Sequence, residues 1–154
     1  MSLAASSLTK SGTIERFKAF YRELKPEKFD QIEELYAPAI IFKDPVHQIR
    51  GVDYLHRYFV DLCADLDSCR FEFLDELSQH DSCYIKWDMH FSHPRLGQEV
   101  ISVRGMTQLK LKEEKIIYHE DVYDLGAMLY EHLPLIGSAT RWLKKRLATA
   151  NTES

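Results

Sequence analysis

The chain has 154 residues, a length that suits one domain with a sizeable core and no need for disulfides or metals. Its composition, 45% hydrophobic, 12% aromatic and 29% charged, excludes wholesale disorder, and a net charge of -4 with dispersed cations disfavours a nucleic-acid surface. Three cysteines without C-x-x-C spacing and the lack of a long apolar stretch predict a cytoplasmic protein with no disulfide framework, zinc site or membrane span.

The first half of the chain predicts three helices and one strand. Apolar residues three and four apart are typical of helices, and the predicted helices cover about residues 12–24, 27–36 and 51–66. Pro38 introduces the strand. Its alternation places the carboxylate of Asp44 on the same inward face as its apolar neighbours, where an ionised group loses hydration.

The second half of the chain predicts four consecutive strands and a helical tail. From residue 70 the hydrophobic period is two, and turns near 79–82, 94–97 and 112–114 separate the strands. Short connections of this kind predict an antiparallel, curved sheet. The tail is a short helix over 125–133 and an amphipathic helix over about 138–148, and the order of elements predicts one α+β domain over the whole chain.

Three motifs in the first half of the chain resemble the nuclear transport factor 2-like superfamily. They are Phe29-Asp30-x-Ile32-x-x-Leu35-Tyr36-Ala37, Phe42-Lys43-Asp44-Pro45-Val46 and Gly51-x-x-x-Leu55. The resemblance runs from about residue 12 to residue 124. It implies a cone-shaped α+β barrel, in which N-terminal helices cover the concave face of a curved mixed or antiparallel sheet, and it implies a homodimer.

Two branches of this superfamily are similar to different parts of the chain. The Asp-Pro-Val ending of the first strand looks like the ketosteroid isomerase branch, where the residue matching Asp44 is the general base. The segment 115–124 looks like the SnoaL-like polyketide cyclase branch. There a His-x-Asp pair, His119 and Asp121 here, lines the cavity, and the aspartate is a general acid or base.

The isomerase resemblance lacks its oxyanion hole. Phe20 stands at the position of the required tyrosine, with Tyr21 one residue away, and Thr107 or Met106 stands where a protonated aspartic acid is needed. Stabilisation of the oxyanion is usually the largest catalytic contribution in such enzymes. The SnoaL-like match, which keeps its pair, is therefore preferred.

These residues predict a cofactor-independent enzyme that binds a small apolar carbonyl compound and transfers a proton, as an isomerase, cyclase or dehydratase does. Asp121 is the expected general acid or base, assisted by His119, and Asp44 is a second carboxylate. The expected ligand-binding residues are Tyr21, Phe42, Trp87, Met89, Thr107 and Tyr123. We expect no metal, because His90 and His93 straddle a strand end and point to opposite faces.

Each candidate residue also has a structural interpretation. An aspartate before a proline often shapes its own turn, which is the alternative for Asp44. His119 and Asp121 could be a buried pair that orders the sheet, and the aromatic wall could be plain core. The alternative function is accordingly a non-catalytic apolar ligand-binding module, or a dimeric interaction module that uses the outer face of the sheet.

Two basic features have surface interpretations. Arg104 shares its parity with outward residues, so it is expected in solvent or at a dimer interface rather than on a substrate. The segment 141–146 ends the amphipathic helix with cations, which favourably meet the helix dipole. Its second interpretation is a weak contact with anionic lipid at a membrane surface.

Overall fold

The computed structural model describes residues 3–97, 99–128 and 145–148. Contacts divide the chain into two compact units, residues 1–123 and residues 124–154. In the second unit the described parts are helix α4 (Leu125–Met128) and the helical residues 145–148. The remainder of the two predicted tail helices lies outside the described residues, and the single domain stays a prediction.

The helices of the first unit agree with the hydrophobic periodicity except at their ends. They are α1 (Leu3–Arg22), α2 (Ile32–Leu35) and α3 (Val52–Asp65), with a 3₁₀ turn over Pro26–Gln31. Helix α1 begins well before the predicted residue 12, because alanine and leucine near the N-terminus favour a helix. Its Lys10 also forms an ion pair with Asp81 in the β3–β4 turn.

Six strands of the described part of the chain form one curved sheet. They are β1 (Tyr36–Lys43), β2 (Gln48–Arg50), β3 (Ser68–Gln79), β4 (Ser82–Ser92), β5 (Ile101–Lys112) and β6 (Lys115–Tyr123). Their order is β2-β1-β6-β5-β4-β3, so β2 and β3 are edges and the sheet does not close. Strands β3 to β6 form the predicted antiparallel succession, while β1 pairs in parallel with β6. The predicted α+β class with a mixed sheet is confirmed.

Strand β2 is absent from the sequence-based prediction. Its three residues follow the turn after Asp44 and pair antiparallel with the end of β1. A strand of this length carries too few residues to show a period of two. It extends the sheet beside the Asp44 turn, so its pairing helps to fix that turn.

The sheet has a buried inner face and an exposed outer face. Side chains of β5 alternate strictly between the two, as predicted, with Val103, Thr107 and Leu109 buried and Met106 exposed. Helices α1 and α3 cover the inner face, where the ring of Tyr21 lies 5.3 Å from that of Phe71. Within the described ranges, every helix is too short or too polar to cross a lipid bilayer.

Candidate functional site

Strand β6 carries the predicted proton-transfer pair on the inner face. A shift in its register against β5, between Lys110 and Leu111, gives β6 one extra residue. Because of this bulge, Ile116 and His119 are both buried although their spacing is odd. After it the alternation is regular, so that His119, Asp121 and Tyr123 share the inner face, as the resemblance implied.

One oxygen of Asp121 is held by two neighbouring strands. The Thr107 hydroxyl on β5 donates a hydrogen bond of 2.5 Å to Asp121 Oδ1, and His119 Nε2 lies 2.7 Å from the same oxygen. The Trp87 indole N–H on β4 donates to the Thr107 hydroxyl at 2.7 Å. The carboxylate is therefore fixed by a row of side chains that runs across three strands.

A second row of hydrogen bonds continues from the other ring nitrogen of His119. Its Nδ1 lies 2.8 Å from the Tyr36 hydroxyl, which lies 2.7 Å from the Tyr21 hydroxyl. Burial raises the pKa of both phenols well above the usual value, and the Asp121 carboxylate raises it further. Both hydroxyls therefore stay protonated and act as donors.

The partners of His119 assign its tautomer. With the proton on Nε2, the ring donates to Asp121 and accepts from Tyr36 through Nδ1, and the Tyr36 oxygen accepts from Tyr21. A doubly protonated ring would donate to Tyr36 instead, and the buried Tyr21 hydroxyl would then lack an acceptor among the described residues. The neutral ring satisfies every donor in the row. His119 has 1% of its surface exposed, and its two ring nitrogens contact Tyr36 and Asp121.

The second oxygen of Asp121 is open. No described residue forms a hydrogen bond with Oδ2, and 14% of the Asp121 side chain is exposed. No fully buried side-chain oxygen or nitrogen of the described part lacks a hydrogen-bond partner. Because Oδ2 has no such partner, it is not fully buried, and solvent reaches it. An ionised oxygen in this position can accept a proton from a bound molecule.

Asp44, the other predicted carboxylate, accepts most of its hydrogen bonds from the turn that it begins. Its Oδ1 accepts hydrogen bonds from the backbone amides of Val46 and His47 at 2.8 and 2.6 Å, and the His47 ring lies 3.1 Å away. The Tyr58 hydroxyl donates to Oδ2 at 2.9 Å. The side chain is 2% exposed, so the carboxylate points inward as predicted, yet its contacts are those of a turn-forming aspartate.

Two phenols lie near both carboxylates. Burial raises the pKa of Tyr58 and of Tyr123, and the charges of Asp44 and Asp121 raise each of them further. The Tyr58 hydroxyl is bonded to Asp44, whereas that of Tyr123 has no hydrogen-bond partner among the described residues. Among the described residues of the site, Tyr123 is therefore the phenol without a hydrogen-bond partner, and it feels the charge of both carboxylates.

The indole of Trp87 packs against the bare backbone of Gly105. A β-carbon built on Gly105 would lie 2.6 Å from Trp87 Cζ2 and 2.8 Å from Cζ3, closer than real atoms approach. Gly105 pairs with Trp87 on one side and with Tyr123 on the other. Because Gly105 has no side chain, the indole can reach Thr107. The centres of the Trp87 and Tyr123 rings lie 6.2 Å apart.

The other predicted ligand-binding residues differ in exposure. Tyr21, Phe42, Trp87 and Thr107 are buried, and Met89 and Tyr123 are partly exposed. The Phe42 ring packs 4.7 Å from the His119 ring, so this side chain supports the hydrogen-bonded row. The sequence-based prediction missed Tyr36 and Tyr58 as site residues. The available signal was a phenol among the apolar positions of the predicted helices over 27–36 and 51–66, although the structure places Tyr36 at the start of β1.

The remaining polar candidates lie on the outer face or in loops. His90 contacts Ser102 at 2.6 Å and Glu72 at 3.3 Å, while His93 accepts from the backbone of Arg95. In the described ranges no group of three or more His, Cys, Asp or Glu is arranged to hold a metal. Arg104 points outward, as predicted, and forms a paired ion contact with Asp88 at 2.8 and 3.0 Å.

Solved structures place this architecture in a known fold class. A candidate SnoaL-like polyketide cyclase from Jannaschia sp. CCS1 superposes with a TM-score of 0.69 at 12% identity, covering 79% of this chain and 90% of that one. An NTF2-like protein of unknown function from Burkholderia pseudomallei K96243 gives 0.70 at 8% identity, with 79% and 95% covered. An LEH-like epoxide hydrolase from M. tuberculosis gives 0.67 at 12% identity, with 89% and 97% covered. The fold is therefore the NTF2-like cone.

The sequence itself identifies the family within that class. The family model of the SnoaL-like domain matches residues 17–119, and the chain belongs to this family. The match contains Asp44 and His119 and ends before Asp121. It therefore supports the fold and gives no information on the chemistry of Asp121. Among curated proteins, none matches the chain.

Proposed function

We propose that this protein is a cofactor-independent enzyme that moves a proton at the carbon next to a carbonyl group of a small apolar molecule. The observation that carries the proposal is the environment of Asp121. One oxygen is held by Thr107 and His119, and the other is open on the inner face of the sheet. Isomerisation, intramolecular aldol cyclisation and dehydration all begin with such a transfer.

Asp121 acts as the base through Oδ2. It takes a proton from the carbon, the C–H electron pair forms a carbon–carbon double bond, and the carbonyl π electrons move to the oxygen. The neutral His119 ring donates to Oδ1 throughout and stays a positioning residue. Return of the proton to another carbon completes an isomerisation. In a cyclisation the enolate carbon attacks a second carbonyl, whose π electrons move to its oxygen, and that oxygen takes the proton back from Asp121.

The family supports this class of reaction without choosing among its members. SnoaL-like and NTF2-like proteins include cyclases, isomerases and epoxide hydrolases, and one structural neighbour is a candidate polyketide cyclase. A substrate without a charge fits an inner face built from aromatic rings and from Met89. The absence of a cofactor stays a prediction.

Deuterium exchange tests the proposal without knowledge of the natural substrate. The protein is incubated in D₂O with apolar ketones, including 2-acetylnaphthalene, and label next to the carbonyl is followed by NMR. We expect catalysed exchange with the wild type and a loss of about 100- to 10,000-fold in Asp121→Asn. Asp88→Asn, the same substitution on the outer face, is the matched control and should exchange at the wild-type rate.

Two results would contradict the proposal. Unchanged exchange in Asp121→Asn would remove the assigned base. Failure of the wild type to exchange any ketone of the panel above the buffer rate would remove the reaction class. Circular dichroism of each variant separates these outcomes from a failure to fold.

A second role is favoured by the outer face of the sheet. Met106 and Val122 lie opposite each other in the β5–β6 ladder with 48% and 64% of their surfaces exposed, and Leu77 and Tyr84 form a similar pair. Charges of both signs surround them, as in the Asp88–Arg104 pair, which suits contact with a second copy of the same surface. We propose a homodimer through this face.

Sedimentation tests the dimer independently of activity. The wild type should sediment as a dimer at micromolar concentration, and Met106→Glu should shift it to a monomer, since it places a charge in the apolar centre. A wild-type monomer would contradict the dimer. A cytoplasmic location and lipid contact of segment 141–146, most of which lies outside the described residues, stay predictions.

A further inference from the structure

We infer that the Tyr123 hydroxyl is the hydrogen-bond donor that holds the carbonyl oxygen of an apolar ketone in this site. The inference rests on the proposed function, because it names the group that would face the oxygen while Asp121 faces the neighbouring carbon. It assigns to Tyr123 a polar role, where the sequence predicted only a wall.

Elimination among the donors leads to Tyr123. Among the described residues, the other side-chain donors around Asp121 and Asp44 already face acceptors within the site: Trp87 donates to Thr107, Thr107 and His119 to Asp121, Tyr58 to Asp44, and Tyr21 and Tyr36 along the row that ends at His119. The His47 ring nitrogen Nδ1 lies 3.1 Å from Asp44 Oδ1. The Tyr123 hydroxyl has no partner in the described part of the chain, and its ring is partly exposed. Among the described hydroxyl groups of this site, it is the one that a bound molecule can use without breaking a protein hydrogen bond.

The position of Tyr123 suits a ketone. It follows Asp121 by two residues on β6, so the two side chains stand side by side on the inner face, roughly 6 to 7 Å apart at their α-carbons. A carbonyl oxygen and the hydrogen on the adjacent carbon are separated by only a few bonds. One small molecule can therefore meet Tyr123 with its oxygen and Asp121 Oδ2 with that hydrogen.

The charge balance of the step favours a phenol at this point. When Asp121 takes the proton, its negative charge moves to the substrate oxygen, and the total charge of the site is unchanged. Burial and the two carboxylates raise the pKa of Tyr123, so the phenol stays protonated and donates to that oxygen. A donor aimed at the position where charge develops is worth about 100- to 1,000-fold in rate.

This arrangement also accounts for the departure from the isomerase pattern. The oxyanion tyrosine expected on α1 is replaced by Phe20, which is buried against Phe59 and Tyr21. Tyr123 supplies a phenol from the opposite side, on the last strand. The oxyanion donor is thus present in a different element.

Two measurements on Tyr123→Phe test the inference. The first compares binding of 2-acetylnaphthalene with that of 2-isopropenylnaphthalene, which has nearly the same shape but no carbonyl oxygen. We expect the ketone to bind about three to ten times more weakly in the variant and the hydrocarbon to bind equally well. The second measures deuterium exchange into 2-acetylnaphthalene, which should fall by about 100- to 1,000-fold. Tyr54→Phe, on the exposed face of α3, is the matched control.

The outcomes separate this inference from the proposed function. Equal weakening of ketone and hydrocarbon, or exchange that is lost in Asp121→Asn but kept in Tyr123→Phe, overturns the role of Tyr123 and leaves the function intact. Ketone-selective weakening in a protein that exchanges nothing supports the donor and overturns the function. Failure of the wild type to bind either probe overturns both.

Discussion

The two inward carboxylates of this protein, Asp121 and Asp44, are held by different kinds of donor. Asp44 accepts two backbone hydrogen bonds from its own turn and one from a tyrosine, so that both of its oxygens are occupied. Among the described residues, Asp121 accepts only from side chains of the sheet, all at one oxygen, and its second oxygen has no hydrogen-bond partner.

The comparison shows that burial alone does not mark a reactive carboxylate. The backbone donors of Asp44 shape its loop, and together with Tyr58 they engage both oxygens of that carboxylate. Side-chain donors on neighbouring strands fix the orientation of a carboxylate and leave part of it available. On this physical ground we propose Asp121 rather than Asp44 as the base, although both residues end up on the inner face.

The largest expected effect is a difference in exchange rate between the two asparagine variants. Asp44→Asn keeps an oxygen for the two backbone amides of the turn and should retain most of the wild-type deuterium exchange. Asp121→Asn should lose about 100- to 10,000-fold. Both rates are measured by NMR on 2-acetylnaphthalene in D₂O. A loss in Asp44→Asn as large as that in Asp121→Asn would break the comparison and restore Asp44 as a second catalytic carboxylate.

A smaller effect is expected from adding a methyl group to Gly105 beneath the indole. Gly105→Ala forces Trp87 to move, which strains the core and separates the indole N–H from Thr107. We expect a loss of about 1 to 3 kcal/mol in the free energy of unfolding, measured by urea denaturation. Gly12→Ala, where a β-carbon meets nothing within 4 Å, is the control and should not destabilise the protein. Equal stability of Gly105→Ala and wild type would show that the indole is not fixed there.

A comparable or smaller effect is expected at Thr107, which joins Trp87 to Asp121. Thr107→Val keeps the shape and removes the hydroxyl, so the buried indole N–H loses its acceptor at a cost of about 1 to 3 kcal/mol. Exchange should slow as well, because Asp121 loses one of its two positioning donors. Thr107→Ser keeps the hydroxyl and should retain the exchange rate. Wild-type exchange in Thr107→Val would show that Thr107 serves only the indole.

Much of the inner face could be predicted because it depends on local alternation. The strict pattern of β5 and the common face of His119, Asp121 and Tyr123 follow from a period of two. The bulge in β6 makes Ile116 buried as well, which is why alternation alone left that strand ambiguous. The resemblance resolved the parity where the pattern could not.

The partners of the carboxylates could not be predicted, because they depend on how distant elements meet. Tyr36 on β1 reaches His119 only through the parallel pairing of β1 with β6, and Tyr58 reaches Asp44 only because α3 packs on β1. Sequence spacing contains no such register. The turn-forming role of Asp44 was foreseen as an alternative, and choosing it required the atoms that surround the carboxylate.

The smallest expected effect is on the free energy of unfolding at alkaline pH, and it concerns Tyr58, the phenol that donates to Asp44. Burial raises the pKa of the Tyr58 phenol above its usual value of 10, and the Asp44 charge and hydrogen bond raise it further. Above about pH 10 the phenol of the unfolded chain loses its proton while the native phenol keeps it. The native state then binds more protons, so the free energy of unfolding falls by about 1.4 kcal/mol per pH unit for each such phenol. Urea denaturation at several pH values between about 9 and 11 measures this slope.

Tyr58→Phe removes one of these titrations and should make the decline with pH less steep by about 1.4 kcal/mol per unit. Tyr54→Phe, in the same helix with its ring exposed, should leave the decline as it is in the wild type. The stability contributed by the Tyr58 proton is complete below pH 10 and is lost as the pH rises toward the native pKa. Identical slopes in Tyr58→Phe and wild type would mean that this phenol is not held by Asp44. The carboxylate would then have an open oxygen too, and its difference from Asp121 would disappear.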